Sequence, residues 1–228
     1  MIRPPKTLEE LFRVWKKNNW FPHFSEEEDS MGILGVGPPL NVGRLQESYL
    51  TGVFPWPTEG HLLWCSPPKR GVLHFDKLHV SRSLRKKQKS NLYRFTKNKA
   101  FSVVIRGCQK AKRRGQVGTW ITEEMISVYE EAFSNGFVMS TECWRDEKLI
   151  GGIYGFEING VFSGESVFGD ESDVAKLCLL ECIEDLKARG LEWMDIQMVT
   201  PLTESFGGEL VNRKDYLNDF LIRRSRGN

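Results

Sequence analysis

No stretch of this 228-residue chain holds the roughly 18 consecutive apolar residues that a membrane-crossing helix needs. Its first residues, MIRPPKTLEELFRVWKK, interleave charge with apolar groups and lack the apolar core of a secretory signal, so a cytoplasmic protein without membrane attachment is expected. Cysteine is sparse and odd in number, at 65, 108, 143, 178 and 182, with no CxxC and no His/Cys cluster. That pattern speaks against a zinc centre or a disulfide framework and for reduced, buried thiols. The histidines (His23, His61, His74, His79) lie far in sequence from the carboxylate motifs described below. No GxSxG elbow occurs, and no Gly-Lys-Ser/Thr follows the glycines of residues 32–39, so neither a serine-hydrolase nucleophile nor a phosphate loop is legible. With 40% hydrophobic residues, the chain can still bury a core, as one large domain or two small ones.

Charge is segregated. Residues 1–68 carry 6 Lys/Arg and 8 Asp/Glu; residues 69–114 carry 16 cations and one acid, Asp76; residues 115–228 carry 10 cations and 21 acids. The middle segment repels itself unless something neutralises it. A phosphate backbone would do so, and so would the acidic half of the same chain. Leu73, Phe75, Leu78, Val80, Leu84, Tyr93 and Phe95 pattern the segment for structure, so it is not a disordered tail.

Periodicity and caps give the elements. Residues 8–17 read as a short amphipathic helix, Glu26 to Asp29 as an acidic loop, and Gly32 to Pro39 as a bend. Asn41 caps a helix through Tyr49. Phe54-Pro55-Trp56-Pro57 reads as a rigid aromatic loop, and Pro67-Pro68 marks a boundary near residue 70. Beyond it come a strand (71–75), a basic helix capped by Ser81, a strand (92–95), a helix from 99 to about 113 capped by Asn98, and a helix capped by Thr122. Three strands follow (137–144, 148–157, 161–168), the last two joined at Asn159-Gly160, then a helix (172–189), a strand (191–199) and a helix (214–224). The order from 71 to 199, β-α-β-α-α-β-β-β-α-β, packs best as a mixed sheet covered by helices, an α/β or α+β fold. The expected division is a small domain, 1–70, and a larger one, 71–228.

Two short constellations could carry chemistry. In the strand 161–168, residues 162, 164, 166 and 168 should share one face and 163, 165 and 167 the other. Glu165, between aromatic neighbours, could bind an amine or a ribose, or form an ion pair. Asp195 and Gln197 point the same way at i, i+2, with Trp193 on that side. Such a pair is a weak base and suits orientation of a group that is already nucleophilic. Arg114-Gly115-Gln116-Val117-Gly118 falls short of the acetyl-CoA pyrophosphate loop: it lacks the middle glycine and lies upstream of the central hairpins.

Taken in order, Gly52-Val53-Phe54-Pro55-Trp56, Trp64-Cys65-Ser66-Pro67, His79-Val80-Ser81-Arg82-Ser83, Gly118-Thr119-Trp120-Ile121-Thr122, Glu142-Cys143-Trp144-Arg145, Gly151-Gly152-Ile153-Tyr154-Gly155, Gly164-Glu165-Ser166 and Asp195-Ile196-Gln197 resemble the leucyl/phenylalanyl-tRNA–protein transferase family. The resemblance runs from about Gly32 to Leu217. It implies a small N-terminal domain, then an N-acetyltransferase-like domain that works without acetyl-CoA. It also implies transfer of Leu or Phe from aminoacyl-tRNA to the N-terminal Lys or Arg of a protein, marking that protein for degradation. Carried over by motif, Asp195 and Gln197 orient the attacking α-amine, with Asp195 polarising the pair, and Glu165 holds the aminoacyl end or the amine. Trp56 and Trp120 flank the adenosine, Ser166 belongs to the same subsite, and Tyr129, Ile153, Phe162 and Leu179 line the Leu/Phe pocket. Arg82, Arg85, Lys86 and Lys87 form a tRNA platform.

The ester of an aminoacyl-tRNA is already activated, so no cofactor, ATP or metal is expected. An apolar pocket discriminates by only ~1–3 kcal/mol per methylene, so Met is admissible too. A monomer is expected. The chain departs from the family where Gly169-Asp170 replaces the usual Ser-Arg, Ile196 a usual Cys, and Phe206-Gly207-Gly208 a usual Leu-Gly-Ala, which bears on acceptor preference. The competing readings are an acetyl-CoA-dependent N-acetyltransferase and a noncatalytic tRNA-binding protein.

Overall fold

The computed structural model describes residues 32–37, 39–58, 61–112 and 119–226, together with residues 7, 9, 10 and 13. Residues 9, 10 and 13 are helical. The rest of the expected 8–17 helix, the acidic loop at 26–29 and the segment Arg114–Gly118 lie outside the described residues.

The N-terminal part builds a three-stranded antiparallel sheet from β1 (Ile33–Val36), β2 (Phe54–Thr58) and β3 (His61–Cys65), in the order β1-β3-β2. Two expectations change here. The bend expected at 32–39 contains a strand, and the Phe54–Pro57 loop is a strand. Four residues are too few to show a period, and the prolines of β2 are tolerated because, among the described residues, β2 is an edge with a partner on one side. Between β1 and β2 runs α1 (Val42–Tyr49). Asn41 caps it, its Oδ1 accepting from the Arg44 amide at 2.9 Å, and Val42, Leu45 and Tyr49 are buried on one stripe.

The larger sheet has seven strands: β4 (Lys69–His74), β5 (Arg94–Lys97), β6 (Val138–Arg145), β7 (Lys148–Ile158), β8 (Val161–Gly169), β9 (Trp193–Gln197) and β10 (Glu209–Asn212), in the order β10-β4-β9-β8-β7-β6-β5. It is antiparallel except between β8 and β9, which α5 (Val174–Ala188) joins as a parallel crossover. The helices α2 (Arg82–Gln88), α3 (Phe101–Lys110), α4 (Glu123–Ser134), α6 (Pro201–Glu204) and α7 (Arg213–Arg226) are the others among the described residues from 61 on. The expected order from 71 to 199 holds element for element. Ser81 and Thr122 cap α2 and α4 as expected, and Asn159 and Gly160 both take the positive φ of a tight hairpin turn.

Asn98 does not cap α3. It sits at φ 55°, and its Oδ1 accepts from the Ser140 amide. The α3 N-terminus is held instead by Glu142, a fully buried carboxylate that accepts from the Lys99 and Ala100 amides and from the Ser140 and Thr96 hydroxyls. Neither β10 nor α6 was anticipated.

Two apolar cores flank the large sheet. One holds Tyr129, Tyr154, Phe156 and Phe168 and continues without a break into Leu34, Val53, Phe54 and Trp64 of the N-terminal part. The other lies under α5 and holds Ile153, Phe162, Leu179 and Met194. Tyr49 of α1 stacks on Phe156 of β7 with ring centroids 4.4 Å apart, a contact worth about 0.5–1.5 kcal/mol beyond its buried area. All five cysteines are buried, and no disulfide joins them.

Candidate active site

The site grows out of an irregularity. Among the described residues β8 and β9 register at a single pair, Ser163 opposite Asp195. Just beyond it each strand carries one extra residue. Against β7, Tyr154 and Gly155 face Ser166 and Gly164, so Glu165 is the bulged residue. Against β4, Gly71 and Val72 face Gln197 and Asp195, so Ile196 is extra. Bulges re-aim side chains, and these two send Glu165 and Gln197 toward each other. Gln197 Nε2 donates to Glu165 Oε1 at 2.9 Å, bridging the strands by side chain where the backbones no longer pair.

The bulge also corrects the expected alternation in β8. Phe162 belongs to the core under α5, whereas Phe168 belongs to the opposite core, so 162 and 168 do not share a face. One added residue inverts everything after it.

Asp195 is fully buried and saturated with donors. Arg70 binds it through Nε and Nη2, at 2.8 and 2.6 Å. The Ser163 and Tyr216 hydroxyls each donate to Oδ2 at 3.1 Å, and the Gln197 main-chain amide donates to Oδ1 at 2.9 Å. Arg70, 1% exposed, lies between the faces of Phe54 (4.5 Å) and Tyr216 (4.7 Å). Burial opposes its charge, but Asp195 more than offsets this and raises its pKa above the ordinary arginine value. Sequence reasoning missed Arg70 because it was one cation among sixteen. Asp195 thus acts on Gln197 through the main chain, not by contact with its amide side chain, which corrects the polarising role expected for it.

Glu165 accepts from Tyr49 Oη at 2.5 Å and Tyr129 Oη at 3.2 Å besides Gln197. Its pKa is raised to about 7: burial drives the rise, the tyrosines and Gln197 oppose it, and the charge of Asp195 adds to it. Burial and the neighbouring carboxylate push Tyr49 and Tyr129 well above the ordinary phenol range, so both remain donors. Tyr49 was read only as a helix end; nothing in its own segment points to residue 165.

The remaining site residues separate. Ile153, Phe162 and Leu179 come together in the core under α5. Tyr129 lies on the other side of the sheet, with its hydroxyl on Glu165, so it does not share their pocket as expected. Trp56 and Trp120 stack on each other, centroids 5.7 Å apart and 13° from parallel. A base does not fit between them; the pair forms one two-ring shelf. Ser166 pairs in register with Tyr154.

In α2, Arg85 bonds Glu184 at 2.6 Å, and Lys87 bonds Asp173 and the Ser172 carbonyl. Arg82, Lys86 and Lys89 are exposed at helical spacing along one stripe; Lys89 was not anticipated. The loop between β8 and α5 carries Asp170, Glu171 and Asp173, of which Glu171 pairs with Arg145 and Asp173 with Lys87. Among the described residues no three His, Cys, Asp or Glu side chains are grouped to hold a metal.

The model of the family described as leucyl/phenylalanyl-tRNA protein transferase matches residues 72–220, a span that contains Glu165, Asp195 and Gln197. The chain belongs to that family. Curated proteins named leucyl/phenylalanyl-tRNA–protein transferase agree with this over most of their length. The one from Flavobacterium johnsoniae is 39% identical over 89% of this chain and 95% of its own, and the one from Maridesulfovibrio salexigens 42% over 87% and 83%. That of Myxococcus xanthus is 40% identical over 85% and 83%. As a family member the protein is an aminoacyltransferase, and that reading is favoured over an N-acetyltransferase. Among solved structures, a GCN5-related N-acetyltransferase-like protein from Streptococcus suis aligns with 16% identity over 75% of this chain and 64% of that one, TM-score 0.36.

Proposed function

We propose that this family member transfers Leu or Phe, and also Met, from aminoacyl-tRNA to the α-amine of an acceptor protein beginning with Lys or Arg, the product being marked for degradation in the cytoplasm. The observation that carries the chemistry is the Gln197–Glu165 bridge. With Nε2 committed to a carboxylate, Gln197 presents Oε1 as an acceptor for an N–H of the attacking amine. An α-amine has a pKa of about 7.7–8.0, so a useful fraction is neutral near pH 7. Its nitrogen attacks the ester carbonyl, the C–N bond forms, and the C–O bond to the ribose breaks. The proton lost by nitrogen ends on the released ribose hydroxyl. Placement supplies most of the acceleration.

Glu165 holds the α-amino group of the aminoacyl end. The Trp56–Trp120 shelf stacks the terminal adenine on its outer face. Arg82, Lys86 and Lys89 carry phosphate contacts, and the protein acts as a monomer.

Labelled Phe-tRNA or Leu-tRNA mixed with peptides beginning with Lys, Arg, Asp or Ala tests this. Label enters the Lys and Arg peptides, and Gln197→Ala abolishes transfer without loosening tRNA binding. Label in no peptide overturns it.

A further inference from the structure

We infer that Gly71 is a positioning residue for Gln197: its missing side chain is the seat on which a strained turn at the end of β9 presents the amide. This rests on the role given to Gln197 above.

Gln197 has φ 56°, and the Met198 amide donates to the Ile196 carbonyl at 2.5 Å across it. An i to i+2 hydrogen bond around a positive φ is a γ-turn of the rarer, strained kind. Such a conformation persists only where the surroundings over-determine it. Asp195 Oδ1 takes the Gln197 amide from one side, and Glu165 takes the side chain from another. Gly71 of β4 is the residue opposite in register.

A Cβ built on Gly71 would stand 2.9 Å from the Met198 carbonyl carbon, 3.0 Å from its nitrogen and 3.1 Å from the Gln197 carbonyl carbon. These are main-chain atoms and cannot rotate aside. Gly71 itself has no positive φ, so its own backbone would accept alanine. What demands glycine is the turn pressed against it. Any side chain at 71 pushes Gln197 away from Glu165, and displacements near 1 Å at a reacting centre cost up to ~100-fold in rate.

The test compares Gly71→Ala with Ile105→Ala, a fully buried residue of α3, a helix that packs mainly on β7. With labelled Phe-tRNA and a Lys-initiated peptide, Gly71→Ala lowers kcat by about tenfold or more while KM for Phe-tRNA stays within about twofold. Ile105→Ala lowers Tm at least as far and keeps kcat within about twofold. If Gly71→Ala does not fold, Met198→Pro, which removes the turn's N–H at a half-exposed position, gives the same kcat loss. Retained kcat in the variant that folds, or kcat falling in step with Tm in Ile105→Ala, overturns the proposal.

Amide NMR of the wild type and Gly71→Ala separates this from the functional reading. Shifted Gln197 and Met198 amides support the seat even if no peptide is ever labelled. Unmoved amides sink it even in an active transferase.

Discussion

Glu165 is where burial, hydrogen bonding and a second carboxylate meet on one side chain, and its titration is measurable. Its pKa is raised from 4.5 to about 7, so the native state binds its proton more tightly than the unfolded chain. The stabilisation from that proton is in full below 4.5 and is lost as pH rises through about 7. Thermal unfolding across that window should show wild type losing Tm relative to Glu165→Gln as pH climbs. Tyr49→Phe removes a hydrogen bond that favours the carboxylate, so the kcat/KM inflection near neutrality should move to higher pH; an inflection that stays put assigns it to another group. Asp195→Asn leaves Arg70 charged and buried without its partner, and a loss of about 3–5 kcal/mol is expected in denaturant titration. Glu165, Asp195 and Gln197 were legible because short motifs surround them. Arg70 and Tyr49 were not: what makes each of them matter is a partner 125 or 116 residues away.

Strands and helices with a clear period or a side-chain cap were readable, and those defined by a partner were not. The β6–β8 meander announces itself through alternation and Asn159-Gly160, while β2 contains two prolines and is a strand only because β3 supplies hydrogen bonds along one edge. The bulge at Glu165 is the sharper case: a strict period of two puts Phe168 on the wrong face, because bulges are set by what lies across the ladder. Helix α3 makes a related point. Its cap is Glu142 on β6, out of reach of any local pattern. Glu142→Gln would turn an NH₂ toward groups that already donate, and a destabilisation of about 1–3 kcal/mol should appear in urea unfolding, with early amide exchange in the first turn of α3.

Over the whole molecule, the acidic half of the chain neutralises part of the basic segment. Lys77, Arg85, Lys87, Lys97 and Arg106 of the basic segment pair with Glu209, Glu184, Asp173, Asp185 and Glu123 of the acidic half. The cations of α2 left facing solvent are fewer than composition suggested. If phosphate contacts run along Arg82, Lys86 and Lys89, then alanine at each should flatten the plot of log K for tRNA against log salt by about 0.7–0.9. Alanine at Arg85 or Lys87 should change it less, since each already has an acid for a neighbour; equal slopes for all five would place the platform elsewhere. The hub around Asp195 and Glu165 draws Tyr49 from before the large sheet, Arg70 from its first strand and Tyr216 from the helix after its last. During synthesis the ribosome must therefore release nearly every element before these groups can meet. A half-made chain, whatever it has already folded, carries no working centre to act prematurely on the aminoacyl-tRNAs crowded around it.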